Sequence, residues 1–336
     1  MKVIQHSVVT LQTALISNRQ DLAEIYSKYT EQERCLLEEG FHSRQPGSLF
    51  LPITVHSDAD WIPAHPEEPQ DFESFFRDPY RKTPDASHNT IYIQTIGSFG
   101  EVGAQTDQFV EWLREYGQAF FYGLSVTLLP AVTVAETGCS FRVNSNSNNL
   151  QILTGDLLRF LEKKKPKDAF CIVGLTMIDL YPSDSWNFVS GKHAPLITNF
   201  LHPEPLNDFF QRSTNPLINT ADKKKNTACC FLSVCVCLFF MVISKPLVLL
   251  SFQTMTHEIG HMFGIKHCQW LNFCLRKLQA SISFKIAERY QALLHWVEDD
   301  DSQTSCQPVF HLSKPTEAFQ TYRLWLRRCL DILKST

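Results

Sequence analysis

Apolar positions along the chain change period several times, and each change marks an element. Leu11, Leu15, Leu22, Ile25 and Tyr26 form a helical stripe that Glu31 to Glu39 continue, so residues 1–40 are predicted helical. The period is lost over residues 43–90, which are rich in Pro, Asp and Ser with a short aromatic stretch at 72–76, and a loop-rich segment is expected there. Residues 90–96 alternate as a strand does, and 97–103 read as a turn. Phe109, Leu113, Tyr116 and Phe120 then fall on one helix face. Residues 124–134 are predicted as a second strand, and 150–164 as a helix closing on Lys163-Lys164-Lys165, where cations suit the negative helix end. After Pro166, residues 169–178 form a continuous apolar run, the pattern of a strand buried on both faces.

Beyond this point the pattern is less regular. Residues 190–227 show no period, and 228–243 run for sixteen positions without a charge before Ser244-Lys245-Pro246. As a helix that run spans about 24 Å, short of the ~30 Å hydrocarbon core of a bilayer. Its extension to residue 252 is interrupted by Lys245 and Pro246, so a buried or irregular segment is expected rather than a membrane span. Residues 278–297 and 315–333 are predicted helical, with Phe319, Tyr322, Leu326, Cys329 and Leu333 on one face and Asp299 to Asp301 in a solvated loop between. Strands alternating with helices imply an α/β fold built on a twisted mixed sheet.

Composition narrows the function classes. The chain has 336 residues, 44% apolar and 20% charged, with a net charge of −4. That excludes a disordered chain, and no basic footprint for nucleic acid is present. The first eighteen residues lack a basic stretch followed by a clean apolar core, so no secretory signal is read there. The eleven cysteines are then expected as thiols or metal ligands in a reducing compartment, the cytoplasm. The run Lys163 to Lys167 fits a solvated helix end better than a nuclear import signal, which leaves the nucleus as a second compartment. Cys35, Cys139, Cys171 and Cys329 are expected as buried free thiols.

Chemistry concentrates in His257-Glu258-Ile259-Gly260-His261-Met262-Phe263-Gly264-Ile265-Lys266-His267. On a helix, His257 and His261 project from one face and can share a metal ion, with Glu258 on the flank of that face. Gly264 is expected to end the helix, because glycine adopts the left-handed conformation at little cost. The turn would then bring His267 to a third position. Three imidazoles and a water make an open tetrahedral Zn²⁺ site, with Glu258 as the general base. Five fixed residues at this spacing arise by chance in roughly one such chain in 10⁴. That outweighs the plain alternative of a wet helix face that happens to carry His and Glu.

The motif resembles that of the metzincin zinc peptidases. Cys268, directly after the third His, narrows the likeness to the archaemetzincins, a family with a second, four-cysteine zinc site. Residues 1–189 and 254–336 resemble the vertebrate type-2 branch, including Phe72-Glu73-Ser74-Phe75-Phe76 and Leu180-Tyr181-Pro182-Ser183-Asp184-Ser185-Trp186-Asn187-Phe188. The resemblance implies a monomeric metallopeptidase acting on small peptides, with a helical and loop-rich segment at 1–89 and a catalytic domain at 90–336.

The chain also departs from that pattern. Residues 190–253 form a divergent insert where the family carries a Gly-rich stretch and the edge strand over the cleft, which would pair with an extended substrate. Cys268 and Cys274 look like the remains of the four-cysteine site with the intervening block missing, and two thiolates do not close a structural zinc site. None of the five methionines follows His267, so the family's apolar methionine floor beneath the zinc is absent. One catalytic zinc is therefore expected and the second site stands incomplete. The alternative is a catalytically inactive zinc-binding isoform, such as a spliced variant with a foreign insert and a skipped block.

Overall fold

The computed structural model of the chain describes residues 2–4, 7, 9–10, 20–31, 34, 53–55, 70–97, 103–145, 148–181, 234–238, 245–266, 281–282, 284–298, 314 and 316–334. Expectations for 190–227 and 299–301 lie outside these residues.

Near the N-terminus, β1 (Lys2–Ile4) precedes α1 (Gln20–Ser27) and β2 (Ile53–Val55). Among the described residues, the helix expected over 1–40 is seen at 9–10, in α1 and at residues 31 and 34. Lys2-Val3-Ile4 instead pairs antiparallel with Ile53-Thr54-Val55, Val3 opposite Thr54. Val, Ile and Thr, branched at Cβ, favour the extended backbone, and a three-residue strand is too short to show a period. A one-and-a-half-turn helix, α2 (Phe72–Phe76), is capped by the Asp71 carboxylate, which accepts from the Ser74 amide at 2.7 Å.

The α/β body follows the predicted alternation. β3 (Thr90–Ile96), α3 (Gly103–Phe120) and β4 (Ser125–Val132) come first. A short turn of helix, α4 (Val134–Thr137), then leads to β5 (Phe141–Val143) and β6 (Leu150–Leu153). Next are α5 (Thr154–Lys164), β7 (Ala169–Thr176) and β8 (Asp179–Tyr181). The helix expected over 150–164 starts only at Thr154. Leu150-Gln151-Ile152-Leu153 is used as a strand, paired with β5 on one side and β8 on the other.

The central sheet is parallel, in the order β4–β3–β7–β9, where β9 is Val234–Leu238. A second sheet has the order β5–β6–β8 and mixes directions. Every residue of β7 is buried, which matches the unbroken apolar run that marked it as central. β9 comes from the charge-free stretch and pairs with β7, Val173 opposite Cys235 and Leu175 opposite Cys237. Part of that stretch is therefore a sheet strand. No described helix is long and apolar enough to cross a membrane.

The faces of the central sheet alternate between two cores. Ile91, Ile93, Cys171, Val173 and Leu175 join the main core with α3 and the C-terminal helices, whereas Ile96 and Ile172 join a smaller one with Leu157 and Leu161 of α5. The C-terminal helices are α6 (Lys245–Met262), α7 (Ile286–Glu298) and α8 (Gln320–Lys334), the last entered through a 3₁₀ turn at Thr316–Phe319. Phe319, Leu326 and Cys329 are buried, as the face drawn from the sequence requires. Phe72 and Phe75 of α2 belong to the main core as well.

Cys139, Cys171 and Cys329 are buried free thiols, as expected, and Cys35 lies outside the described residues. Burial pushes the Cys171 thiol up to about 12. The thiolate is the reactive form, so at pH 8 almost none is present in the folded chain. Iodoacetamide at pH 8 is expected to leave Cys171 unmodified in native protein and to label it in guanidinium, where the thiol returns to about 8.5. Peptide mass spectrometry reads both states, and native labelling at the denatured rate would contradict this packing.

Candidate metal centre

α6 starts where the apolar run seemed interrupted. Pro246 lies in the first turn, where a missing N–H costs nothing because that amide has no intrahelical partner. Phe252, Met255, Ile259, Met262 and Phe263 are buried at spacings of three and four and face the main core. Phe252 stands 5.0 Å from Tyr116, 5.1 Å from Trp296 and 5.5 Å from Phe319, ring centre to ring centre. At the C-terminal end Phe263 packs against Phe170 at 4.5 Å and Phe121 at 5.6 Å. Each aromatic pair adds about 0.5–1.5 kcal/mol beyond its buried area.

Among the described side chains, this packing leaves Thr254, His257 and His261 of α6 and Gly264 just beyond it only partly covered, spaced three, four and three. His257 Nε2 and His261 Nε2 lie 3.1 Å apart, with the rings edge to face at 82°. His261 Nδ1 is 2.6 Å from the Ile265 carbonyl oxygen, which can only accept. That contact assigns the proton to Nδ1 and leaves the Nε2 lone pair facing His257.

Two imidazoles on one tetrahedral zinc, with Zn–N near 2.0–2.1 Å, hold their nitrogens about 3.3 Å apart. The observed spacing and tautomer fit that arrangement. The negative end of the α6 dipole adds a favourable field for a cation. Glu258, on the same helix, is rotated by about 100° from His257 and about 60° from His261, and is buried.

The helix ends as glycine at 264 demands. Gly264 has φ +82°, its amide donates to the His261 carbonyl at 2.9 Å, and the Ile265 amide reaches the Gly260 carbonyl at 3.4 Å. This pair of bonds is a Schellman motif, and Ile259 and Ile265 beside it are both buried in the main core. The next residues are gripped from far away in sequence. Gln70, 5% exposed, donates from Nε2 to the Gly264 carbonyl at 2.8 Å and accepts from the Lys266 amide at Oε1, 2.9 Å away. Arg81 lies alongside, its Cγ 3.3 Å from where a Cβ at 264 would stand. Partial burial lowers the Arg81 pKa, with Asp78 opposing.

Of the residues picked out by sequence, the structure brings His257 and His261 together on one helix with Glu258. His267, Cys268 and Cys274 lie outside the described residues. Among the described residues, no three His, Cys, Asp or Glu side chains gather as a metal site. Sequence reasoning missed Gln70 and the Ile265 carbonyl. Nothing in the local pattern Pro66-Glu67-Glu68-Pro69-Gln70 marks a side chain that acts 194 positions away.

No family model matches the chain. Archaemetzincin-2 of Pongo abelii is 45% identical over 365 aligned positions, covering 99% of this chain and all of that relative. Archaemetzincin-2 of Homo sapiens is 44% identical with the same coverage. The alignment is longer than the chain, so these relatives carry residues that it lacks. Archaemetzincin-1 of Mus musculus is 29% identical over 85% of this chain and 61% of that relative. The crystal structure of archaemetzincin from Methanopyrus kandleri, 16% identical, covers 64% of this chain and 99% of its own with a TM-score of 0.29, too low to add to the fold.

A side chain at position 264 must occupy the left-handed region. Gly264→Ala is expected to lower stability by about 1–2 kcal/mol, read as an earlier midpoint in urea unfolding. An unchanged midpoint would contradict the glycine-dependent helix end.

Proposed function

The chain belongs to the archaemetzincin family of zinc metallopeptidases, and from that premise we propose that it hydrolyses peptide bonds in small peptides at one zinc ion held by His257, His261 and His267. The observation that carries the proposal is the convergence of two Nε2 atoms 3.1 Å apart, with one ring oriented by a backbone carbonyl. Zinc, when bound, supplies Lewis acidity that polarises a peptide carbonyl and lowers the pKa of water toward about 7.

The chain's own residues supply the rest. His257 and His261 each present a neutral imidazole nitrogen, and His267 follows Gly264 by three residues. The Glu258 carboxylate takes the proton from the attacking water. It then delivers that proton to the amide nitrogen as the C–N bond breaks. β9 has one neighbouring strand among the described residues, and its other side is the proposed place where an extended peptide pairs. The proposed setting is a cytoplasmic monomer with its cysteines reduced. Cys268 and Cys274 are assigned no role in catalysis.

A specific observation favours a second function, zinc held without turnover. No methionine follows His267, so an apolar floor beneath the metal must come from other residues or be absent. One experiment separates the two. The purified chain is expected to hold about one zinc and to cleave short fluorogenic peptides, and Glu258→Ala to keep the zinc while losing at least ~10²-fold in rate. Zinc without cleavage in the wild-type chain would establish the inactive isoform instead.

A further inference from the structure

His261 is oriented by a carbonyl, and that carbonyl is itself held. The Ile265 C=O and the Lys266 N–H belong to one peptide unit, which is planar and points its two polar groups in opposite directions. One end accepts from His261 Nδ1 at 2.6 Å, and the other donates to Gln70 Oε1 at 2.9 Å. The same Gln70 amide donates to the Gly264 carbonyl at 2.8 Å. Its two bonds therefore bracket Ile265 as a residue of a neighbouring parallel strand would. Gln70 and Ile265 are each 5% exposed, so water does not readily replace these bonds.

We propose that Gln70 is a positioning residue for the metal: by fixing the Ile265–Lys266 peptide plane it sets the tautomer and ring angle of His261. This inference rests on the zinc-binding function proposed above. A partner that orients a ligating histidine commonly contributes 10- to 100-fold in metal affinity. Here that contribution is relayed through one peptide plane from a side chain 196 residues away in sequence.

The molecule contains a matched control. Gln118 on α3 brackets Ser125 in the same way, donating from Nε2 to the Leu124 carbonyl and accepting from the Val126 amide at 2.8 Å. It secures the start of β4. Loss of either glutamine removes the same two bonds, but only Gln70 is linked to a histidine of the candidate centre.

The test measures zinc affinity of the full chain by competition with a chromogenic chelator, with circular dichroism and thermal melting alongside. Gln70→Met is expected to weaken zinc binding by about 10- to 100-fold. Gln70→Glu keeps an oxygen facing the Lys266 amide but loses the donor to the Gly264 carbonyl, and is expected to bind zinc more tightly than Gln70→Met and more weakly than wild type. Gln118→Met is expected to lower the melting temperature without moving zinc affinity. Should Gln70→Met fail to fold, Gln70→Asn, too short to bracket both groups, carries the same expectation. In a chain whose wild type binds zinc, unchanged affinity in Gln70→Met (or in Gln70→Asn where that replaces it), or an equal loss in Gln118→Met, overturns the inference alone. A wild-type chain that takes up no zinc overturns the metal function and the inference with it.

Discussion

The hydrogen bond from His261 Nδ1 to the Ile265 carbonyl, 2.6 Å long, ties the helix that carries the candidate ligands to the turn that ends it. Without it the imidazole could present either nitrogen and rotate about its own axis. With it, one tautomer and one ring direction are selected, and His261 Nε2 turns its lone pair toward His257 Nε2, 3.1 Å away. The bond exists only because α6 stops where it does. A helix that continued through 264 and 265 would commit the Ile265 carbonyl to its own ladder. The left-handed Gly264 frees that carbonyl by turning the chain back.

The rest of the fold holds that helix end still. α6 is buried on the sides that meet α3, β7 and the Thr316–Phe319 turn, and aromatic rings fill the contacts at its middle and at its C-terminal end. A helix packed this way has little freedom to roll, so its one partly covered stripe keeps its direction. β9 precedes α6 and lies beside the fully buried β7, which anchors the approach to the helix in the central sheet. Gln70, just ahead of α2, and Phe72 and Phe75 within it add a clamp from the N-terminal side. The candidate site thus depends on residues from nearly the whole described length, although its chemistry sits within a few turns.

Legibility in the sequence followed the range of the signal. His257, Glu258, His261 and Gly264 announced themselves because helix geometry converts spacing directly into direction. β7 was equally plain, since burial on both faces leaves no polar position. β1 and β6 were not, because three or four residues cannot show a period and β6 runs straight into α5. The divergent stretch around β9 had the composition of several different structures, and only its register against β7 shows a strand. Gln70 was invisible for another reason: its role arises from a tertiary contact, and a glutamine between Pro69 and Asp71 carries no local sign of it. Family membership settles the class of chemistry, while the assignment of individual ligands rests on the geometry of α6.

The most direct measurement is zinc K-edge X-ray absorption on the chain loaded with one equivalent of metal. A first shell of nitrogen and oxygen near 2.0–2.1 Å with the outer-ring scattering of imidazole, and no sulfur, is expected. Loss of the imidazole pattern in His261→Ala would bind that shell to α6. Sulfur scattering near 2.3 Å in the wild-type chain would place the metal on cysteines instead and contradict the central claim.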